Sequence, residues 1–193
     1  MYIAHKKGEN TLQTVSEHLH NVARLAAGFA APLGAEECAF CCGILHDLGK
    51  YSEAFRHRIL DNGPRVDHST AGAQTLCDEM KNGLARLMAY CIAGHHSGLP
   101  DGGTASDTAA APTLMGRLKK AVPDYSDGLQ ELSIPPVLPK NPPPLSVVNG
   151  GFTMAFFTRM LYSCLVDADF LDTEAFMADR PPQREMGEPL PDL

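Results

Sequence analysis

Residues 35–48 read Ala-Glu-Glu-Cys-Ala-Phe-Cys-Cys-Gly-Ile-Leu-His-Asp-Leu, a run apolar almost throughout that closes on a histidine and an aspartate. At 3.6 residues per turn, such a run is a helix with apolar side chains all round it. A helix of that kind has to be the central, buried one, with Gly49 as its natural stop. His46 and Asp47 then end a greasy helix, where they must meet water, each other or a metal, because burying them unpaired is costly.

The rest of the chain reads as helices joined by short loops around that centre. Asn10-Thr-Leu-Gln13 has the form of a capping box. Behind it Leu12, Val15, Leu19, Val22, Ala26 and Phe29 recur at helical spacing until Pro32 and Gly34. Ser52 caps a short helix to Leu60, broken by Asp61-Asn-Gly-Pro64. One more helix follows His68 and another covers Leu84 to Ile92, whereas Gly94 to Pro112, rich in Gly, Ser, Asp and Thr, reads as loop. Residues 134–144 carry too many prolines for a helix or a central strand and lead, extended, into a long helix from Gly151 to about Leu171. The tail after Met177 is polar and proline-containing, a linker or a frayed end. With little strand signal and no internal repeat, the fold class is all-α, a single domain over residues 1–177 followed by a polar tail over 178–193.

A hydrophobic content of 44% is ample for a core. No apolar run approaches the roughly 20 residues of a membrane span. The start, Met1-Tyr-Ile-Ala-His-Lys-Lys, lacks the apolar stretch of a signal peptide, so the expected location is cytoplasmic, with no membrane partner. Cys38, Cys41, Cys42, Cys77, Cys91 and Cys164 fall mostly in apolar helical segments and read as small buried hydrophobes in a reducing compartment. The net charge of −7 argues against gripping nucleic acid by bulk electrostatics. It leaves room for a metal-lined cleft, where divalent cations would reverse the local field.

Five of the eight histidines stand where ligands would: His18, His46, His68, His95 and His96, with Asp47 beside His46 and Asp167 and Asp169 near the end. His18 shares the apolar face of Val15 and Val22 and points inward, while His20 lies about 200° round the helix and faces solvent. His95-His96 sits at a helix-to-loop junction, where two adjacent rings can turn to one ion. Histidine suits first-row metals, and a carboxylate such as Asp47 can bridge two of them. Gly49-Lys50 places a cation where a phosphate would dock. Asp167 and Asp169 point about 200° apart on one helix, and periodicity does not choose between them.

Together, His18-x-x-x-Val22-Ala23, His46-Asp47-x-Gly49-Lys50, Asp67-His68-Ser69-x-x-Gly72-Ala73, Gly94-His95-His96-x-Gly98-Leu99 and Val166-Asp-Ala-Asp169 resemble the HD superfamily of metal-dependent phosphohydrolases. More narrowly, the series is similar to the HD nuclease domain of the CRISPR-associated nuclease–helicase of type I interference systems. That resemblance implies a helical bundle with a dinuclear metal site in a cleft between helices. One ion would be held by His18, His46, Asp47 and Asp169, the other by Asp47, His68, His95 and His96, with Asp47 bridging. The order Asp169-Phe170-Leu171-x-Thr173 matches the family's pattern and favours Asp169 over Asp167, leaving Asp167 as a neighbour or an acceptor for a ligating histidine. Lys50 would meet substrate phosphate, and Asp47 and Lys50 would be the catalytic pair.

The resemblance further implies two divalent ions and a single-stranded DNA substrate exposed by an RNA-guided surveillance complex. Histidine-rich ligation favours Mn, Fe, Co or Ni, with Mg also able to serve. A helicase domain would act in cis or in trans; the sequence holds no G-x-x-x-x-G-K-[ST] element, so it would lie outside this chain, reached through the tail. The alternatives are an HD nucleotide phosphohydrolase or cyclic-dinucleotide phosphodiesterase, and a non-catalytic, metal-stabilised binding module.

Overall fold

The computed structural model describes residues 1–8, 10–133, 138–141, 143, 145 and 148–178. Among them the chain is helical apart from one hairpin, which the sequence did not announce. Strands β1 (Ile3–Lys7) and β2 (Thr11–Thr14) pair antiparallel, with Ile3 opposite Thr14 and Lys7 opposite Thr11. Because Thr11–Gln13 are paired with β1, Asn10 does not cap a helix. The capping threonine lies downstream: Thr14 Oγ accepts from Glu17 N at 3.1 Å and opens α1 (Val15–Ala30). The inward face of α1 carries Val15, His18, Leu19, Val22, Ala23 and Ala26, and His20 lies outside on the exposed face.

The apolar run forms α2 (Glu36–Leu45), buried from Cys38 to Leu45 except at Phe40. It ends earlier than the pattern suggests, at Leu45, and Gly49 is not its stop. His46 and Asp47 follow, and Leu48–Tyr51 form a 3-10 turn. Gly49 has a different duty: its N–H donates to His68 O at 3.2 Å, and a Cβ there would lie 2.6 Å from that oxygen. Helix α3 (Glu53–Asp61) is capped by Ser52 Oγ, accepting from Phe55 N at 3.3 Å, and closes on Asn62 at φ 54°.

Helices α4 (Ser69–Met80) and α5 (Gly83–Gly94) pack on each other. Two short helices, α6 (Leu114–Arg117) and α7 (Ser126–Leu132), follow the Gly94–Pro112 loop in a stretch to which the sequence reading assigned no element. The last, α8 (Gly150–Ala178), runs seven residues past the expected end and packs on α1, α2 and α5. Glycines let the central helices approach: a Cβ on Gly43 would collide with the Ala23 backbone, and one on Gly72 with the Leu45 carbonyl. All six cysteines are free thiols, five of them buried. The extended reading of 134–144 falls mostly outside the described residues, as does the tail 178–193 beyond Ala178. No helix of the described residues is long and apolar enough to cross a membrane.

Candidate metal centre

Three helix ends and two helix faces deliver seven side chains to one point. His18 comes from the middle of α1, where its apolar neighbours force it inward. His46 and Asp47 come from the end of α2, His68 from the step into α4, His95 and His96 from the end of α5, and Asp169 from α8. The step into α4 is capped by Asp67, which accepts from Thr70 N at 3.2 Å and Thr70 Oγ at 2.9 Å, so the His68 ring is not spent on capping.

Three histidines lean one ring nitrogen on the backbone. His46 Nδ1 lies 2.8 Å from Gly43 O, His68 Nδ1 3.0 Å from Val66 O and His95 Nδ1 2.7 Å from Ile92 O. A carbonyl can only accept, so in each ring Nδ1 carries the proton and Nε2 presents its lone pair to the centre. His18 does the same with a carboxylate: Nδ1 donates to Asp172 Oδ2 at 2.7 Å.

The presented atoms converge. Asp47 Oδ2 lies 3.4 Å from both His18 Nε2 and His46 Nε2, and Asp169 Oδ1 lies 3.3 and 3.6 Å from the same two nitrogens. On the other side Asp47 Oδ1 lies 3.4 Å from His68 Nε2 and 3.3 Å from His95 Nε2, and His68 Nε2 faces His96 Nε2 at 2.7 Å. Two groups of four ligand atoms result, His18–His46–Asp47–Asp169 and Asp47–His68–His95–His96, each lying within 4.8 Å, with Asp47 common to both.

These residues fit divalent metals. His18 Nε2, His46 Nε2, His95 Nε2 and both Asp47 oxygens are buried without a hydrogen bond of good geometry, an arrangement that costs free energy unless cations satisfy it. The donor set, imidazole with carboxylate, is one that first-row divalent ions take. Without a metal, protons serve instead. Burial works against a charged His18, but the nearby carboxylates of Asp169, Asp172 and Asp47 outweigh it and raise its pKa from 6.5 to about 9. Burial likewise opposes a charged His46, and Asp47 and Asp169 raise it to about 10. For Asp47 and Asp169 burial is also overcome, chiefly by Lys50 and His46 for the first and by His18 and His46 for the second, and both carboxyls sit well below the usual range.

Lys50 is almost fully buried, 5% exposed, with Nζ 2.6 Å from Asp47 Oδ2 and 5.5 Å from the centre of the Phe55 ring. Asp172 is a residue that sequence reasoning missed. It is buried and accepts from His18, from Gln13 Nε2 at 2.8 Å and from Asn21 Nδ2 at 2.9 Å. Its signal was its place three residues after Asp169, on the same side of one helix. Gln13, read as half of a capping box, is instead a buried link that also meets His5 Nδ1 at 2.8 Å. The His5 ring stands 4.7 Å from that of His18, and burial with Lys50 nearby lowers its pKa to about 4. Asp167 is half-buried; the carboxylate that orients His18 is Asp172.

Around the rim, Arg117 of α6 donates to Ala93 O, to Ser69 Oγ at 3.3 Å and to Ser97 Oγ at 3.4 Å. It thereby ties the start of α4 to the end of α5, the two places that carry His68 and His95-His96.

Comparison with known families agrees with this geometry. A family model described as HD domain matches residues 15–131, which is 117 of the 193 residues. The match takes in His18, His46, Asp47, Lys50, His68, His95 and His96 and stops short of Asp169 and Asp172. No curated protein matches the chain.

Proposed function

This chain belongs to the HD-domain family, whose members are metal-dependent phosphohydrolases, and on that premise we propose that it cleaves single-stranded DNA as the nuclease of a type I CRISPR interference system. The observation that carries the hydrolase reading is the pair of four-ligand groups sharing Asp47. The finer reading rests on the series of motifs from His18 to Asp169, with its Asp67-His68-Ser69 and Gly94-His95-His96 elements.

When bound, a pair of divalent ions supplies Lewis acidity toward phosphoester oxygens and a water that ionises near neutral pH. The chain's own residues do the rest. His18, His46, Asp47 and Asp169 would hold one ion and Asp47, His68, His95 and His96 the other. Asp172 keeps the His18 ring in one tautomer and one orientation, and backbone carbonyls do so for His46, His68 and His95. His18, His46, Asp47 and His95 form a buried floor, whereas His96 is exposed and His68 and Asp169 are partly so. Substrate therefore approaches from the His68–His96–Asp169 side, where an unpaired strand can bring a bare phosphodiester down to the floor and a stiff duplex cannot. Lys50, buried with Nζ 2.6 Å from Asp47 Oδ2, would have to leave that pair to meet a substrate phosphate. Mn, Fe, Co or Ni suit the histidine-rich set, and the strand would be supplied by a helicase domain, in cis or trans, working with an RNA-guided complex.

The test is purified protein with end-labelled single-stranded and duplex DNA, a panel of divalent metals, and EDTA as control. Cleavage of the single strand, dependent on a transition metal and abolished by EDTA, is expected. Equal or faster cutting of blunt duplex would count against the reading. Hydrolysis of nucleoside monophosphates or cyclic dinucleotides, with none of DNA, would replace it by another HD activity.

A further inference from the structure

An ionised carboxylate only accepts hydrogen bonds, and that fixes the sense of every group behind His18. Asp172 accepts at Oδ2 from His18 Nδ1, 2.7 Å away, and from Gln13 Nε2 at 2.8 Å, and at Oδ1 from Asn21 Nδ2 at 2.9 Å. The Gln13 amide therefore turns its nitrogen to Asp172 and its oxygen to His5 Nδ1, 2.8 Å away. An amide oxygen accepts as well, so His5 carries its proton on Nδ1. The result is a one-way series in which His5 donates to Gln13 and Gln13 donates to the same Asp172 oxygen that receives His18. Gln13 is 3% exposed and Asp172 4%, a depth at which bulk water does not replace a lost partner.

The backbone is shaped for this series. Ile3 lies opposite Thr14 and His5 opposite Gln13, so two steps along β1 answer one step along β2. Such a bulge re-aims side chains, and here it sets His5 and Gln13 directly opposite each other on one face of the hairpin. The His5 ring then stands edge-on to the His18 ring, with 4.7 Å between centroids and 83° between planes. Apolar side chains would attach a hairpin equally well. A buried amide used at both ends does what they cannot, which is to fix where a carboxylate stands.

We propose that Gln13 and His5 are positioning residues of the metal centre, acting through Asp172 to aim His18 Nε2 at the ion that His46, Asp47 and Asp169 would share. Without the Gln13 N–H, Asp172 is held by Asn21 alone and can turn, and the His18 ring turns with its acceptor. His18 Nε2 then leaves the 3.4 and 3.3 Å that it keeps from Asp47 Oδ2 and Asp169 Oδ1. His46, His68 and His95 lean on backbone carbonyls and do not depend on the series, so the effect falls on the His18 group only. The inference rests on the metal-holding part of the proposed function and not on its substrate. It makes the hairpin, which precedes the residues matched by the family model, a working part of the centre.

The experiment is a calorimetric titration of Mn²⁺ into the metal-stripped full chain. The wild-type protein should take up ions in two steps, and His18→Ala marks the step that belongs to its group. Gln13→Met, matched in length but without donor or strong acceptor, should weaken that step by about 10–100-fold, the range for partners behind a metal ligand, and leave the other step unchanged. His5→Phe should weaken the same step by a smaller factor. His5→Asn, whose amide nitrogen falls where Nδ1 stands, should recover it, which a merely structural role of the ring would not require. Should Gln13→Met fail to fold, the two His5 variants, at a half-buried position, still decide. A wild-type chain with no ion at the His18 group would overturn the proposal. So would an unchanged His18 step in His5→Phe, an equal loss at both steps, or no recovery in His5→Asn. Selective loss and recovery in a chain that leaves DNA uncut would bear out the positioning role and sink the nuclease reading.

Discussion

Neither oxygen of Asp47 is exposed, yet the two face histidines on opposite sides at 3.3–3.4 Å, so this one carboxylate stands in both ligand groups. Asp47→Ala should therefore empty both, whereas His18→Ala or His68→Ala should mainly weaken one. Metal content after dialysis checks this; two ions retained per chain in Asp47→Ala would defeat the bridging role. Lys50 makes a separate prediction. In metal-stripped protein its ammonium compensates a buried aspartate, so Lys50→Ala should lower stability by about 1.5–3 kcal/mol, and by less once metal is added. Chemical denaturation with and without metal measures the difference, and equal losses in both states would show that the lysine does not stand in for cations. His18, His46 and Asp47 were legible in the sequence because each breaks an apolar pattern, and His68, His95 and His96 because they stand in the Asp67-His68-Ser69 and Gly94-His95-His96 motifs. Asp172 was not, since its partners Gln13 and His18 lie 159 and 154 positions away and only folding brings them together.

Among the elements, the long amphipathic or wholly apolar helices were legible, and the short pieces were not. Strand β1 carries His5-Lys6-Lys7, without a run of strand-forming residues, and its pairing with β2 overrode a plausible cap at Asn10. Helix α6, four residues long, has no periodicity to read, yet it carries the clamp between the helix ends that bear His68 and His95-His96. Arg117→Met keeps most of the side-chain volume and removes the donors to Ala93 O, Ser69 Oγ and Ser97 Oγ. It should weaken metal binding at the Asp47–His68–His95–His96 group by about 10–100-fold, leaving the other group nearly unchanged. Two-step metal titration by calorimetry separates the two; a uniform loss at both steps would mean that Arg117 acts only on global stability.

The whole molecule should answer pH in opposite ways with and without metal. In stripped protein the pKa values of His18 and His46 stand near 9 and 10, above the ordinary 6.5. The stability they contribute is complete below pH 6.5 and is lost as pH rises through 9 to 10. Metal-loaded protein needs those rings deprotonated, so its ions are released as pH falls. Melting curves at pH 6.5, 8 and 9.5 should descend toward high pH in EDTA and hold or rise with metal, where free ion at 100 times its Kd adds about 2.7 kcal/mol. Parallel slopes in the two series would refute the proton-for-metal exchange. That the chain gathers its histidines and aspartates into groups able to hold metal was readable from the order of its motifs.

Asp169 sits 73 positions after His96 (169 − 96), on a helix beyond the residues that the family model matches. The ribosome adds about 5–20 residues per second, so roughly 4 to 15 s pass between the emergence of the last histidine and that of the last carboxylate. During that interval all four residues of the Asp47–His68–His95–His96 group have been made, and the other group is one residue short. Synthesis therefore imposes an order on the two groups: the one that needs Asp169 cannot form until α8 has been made.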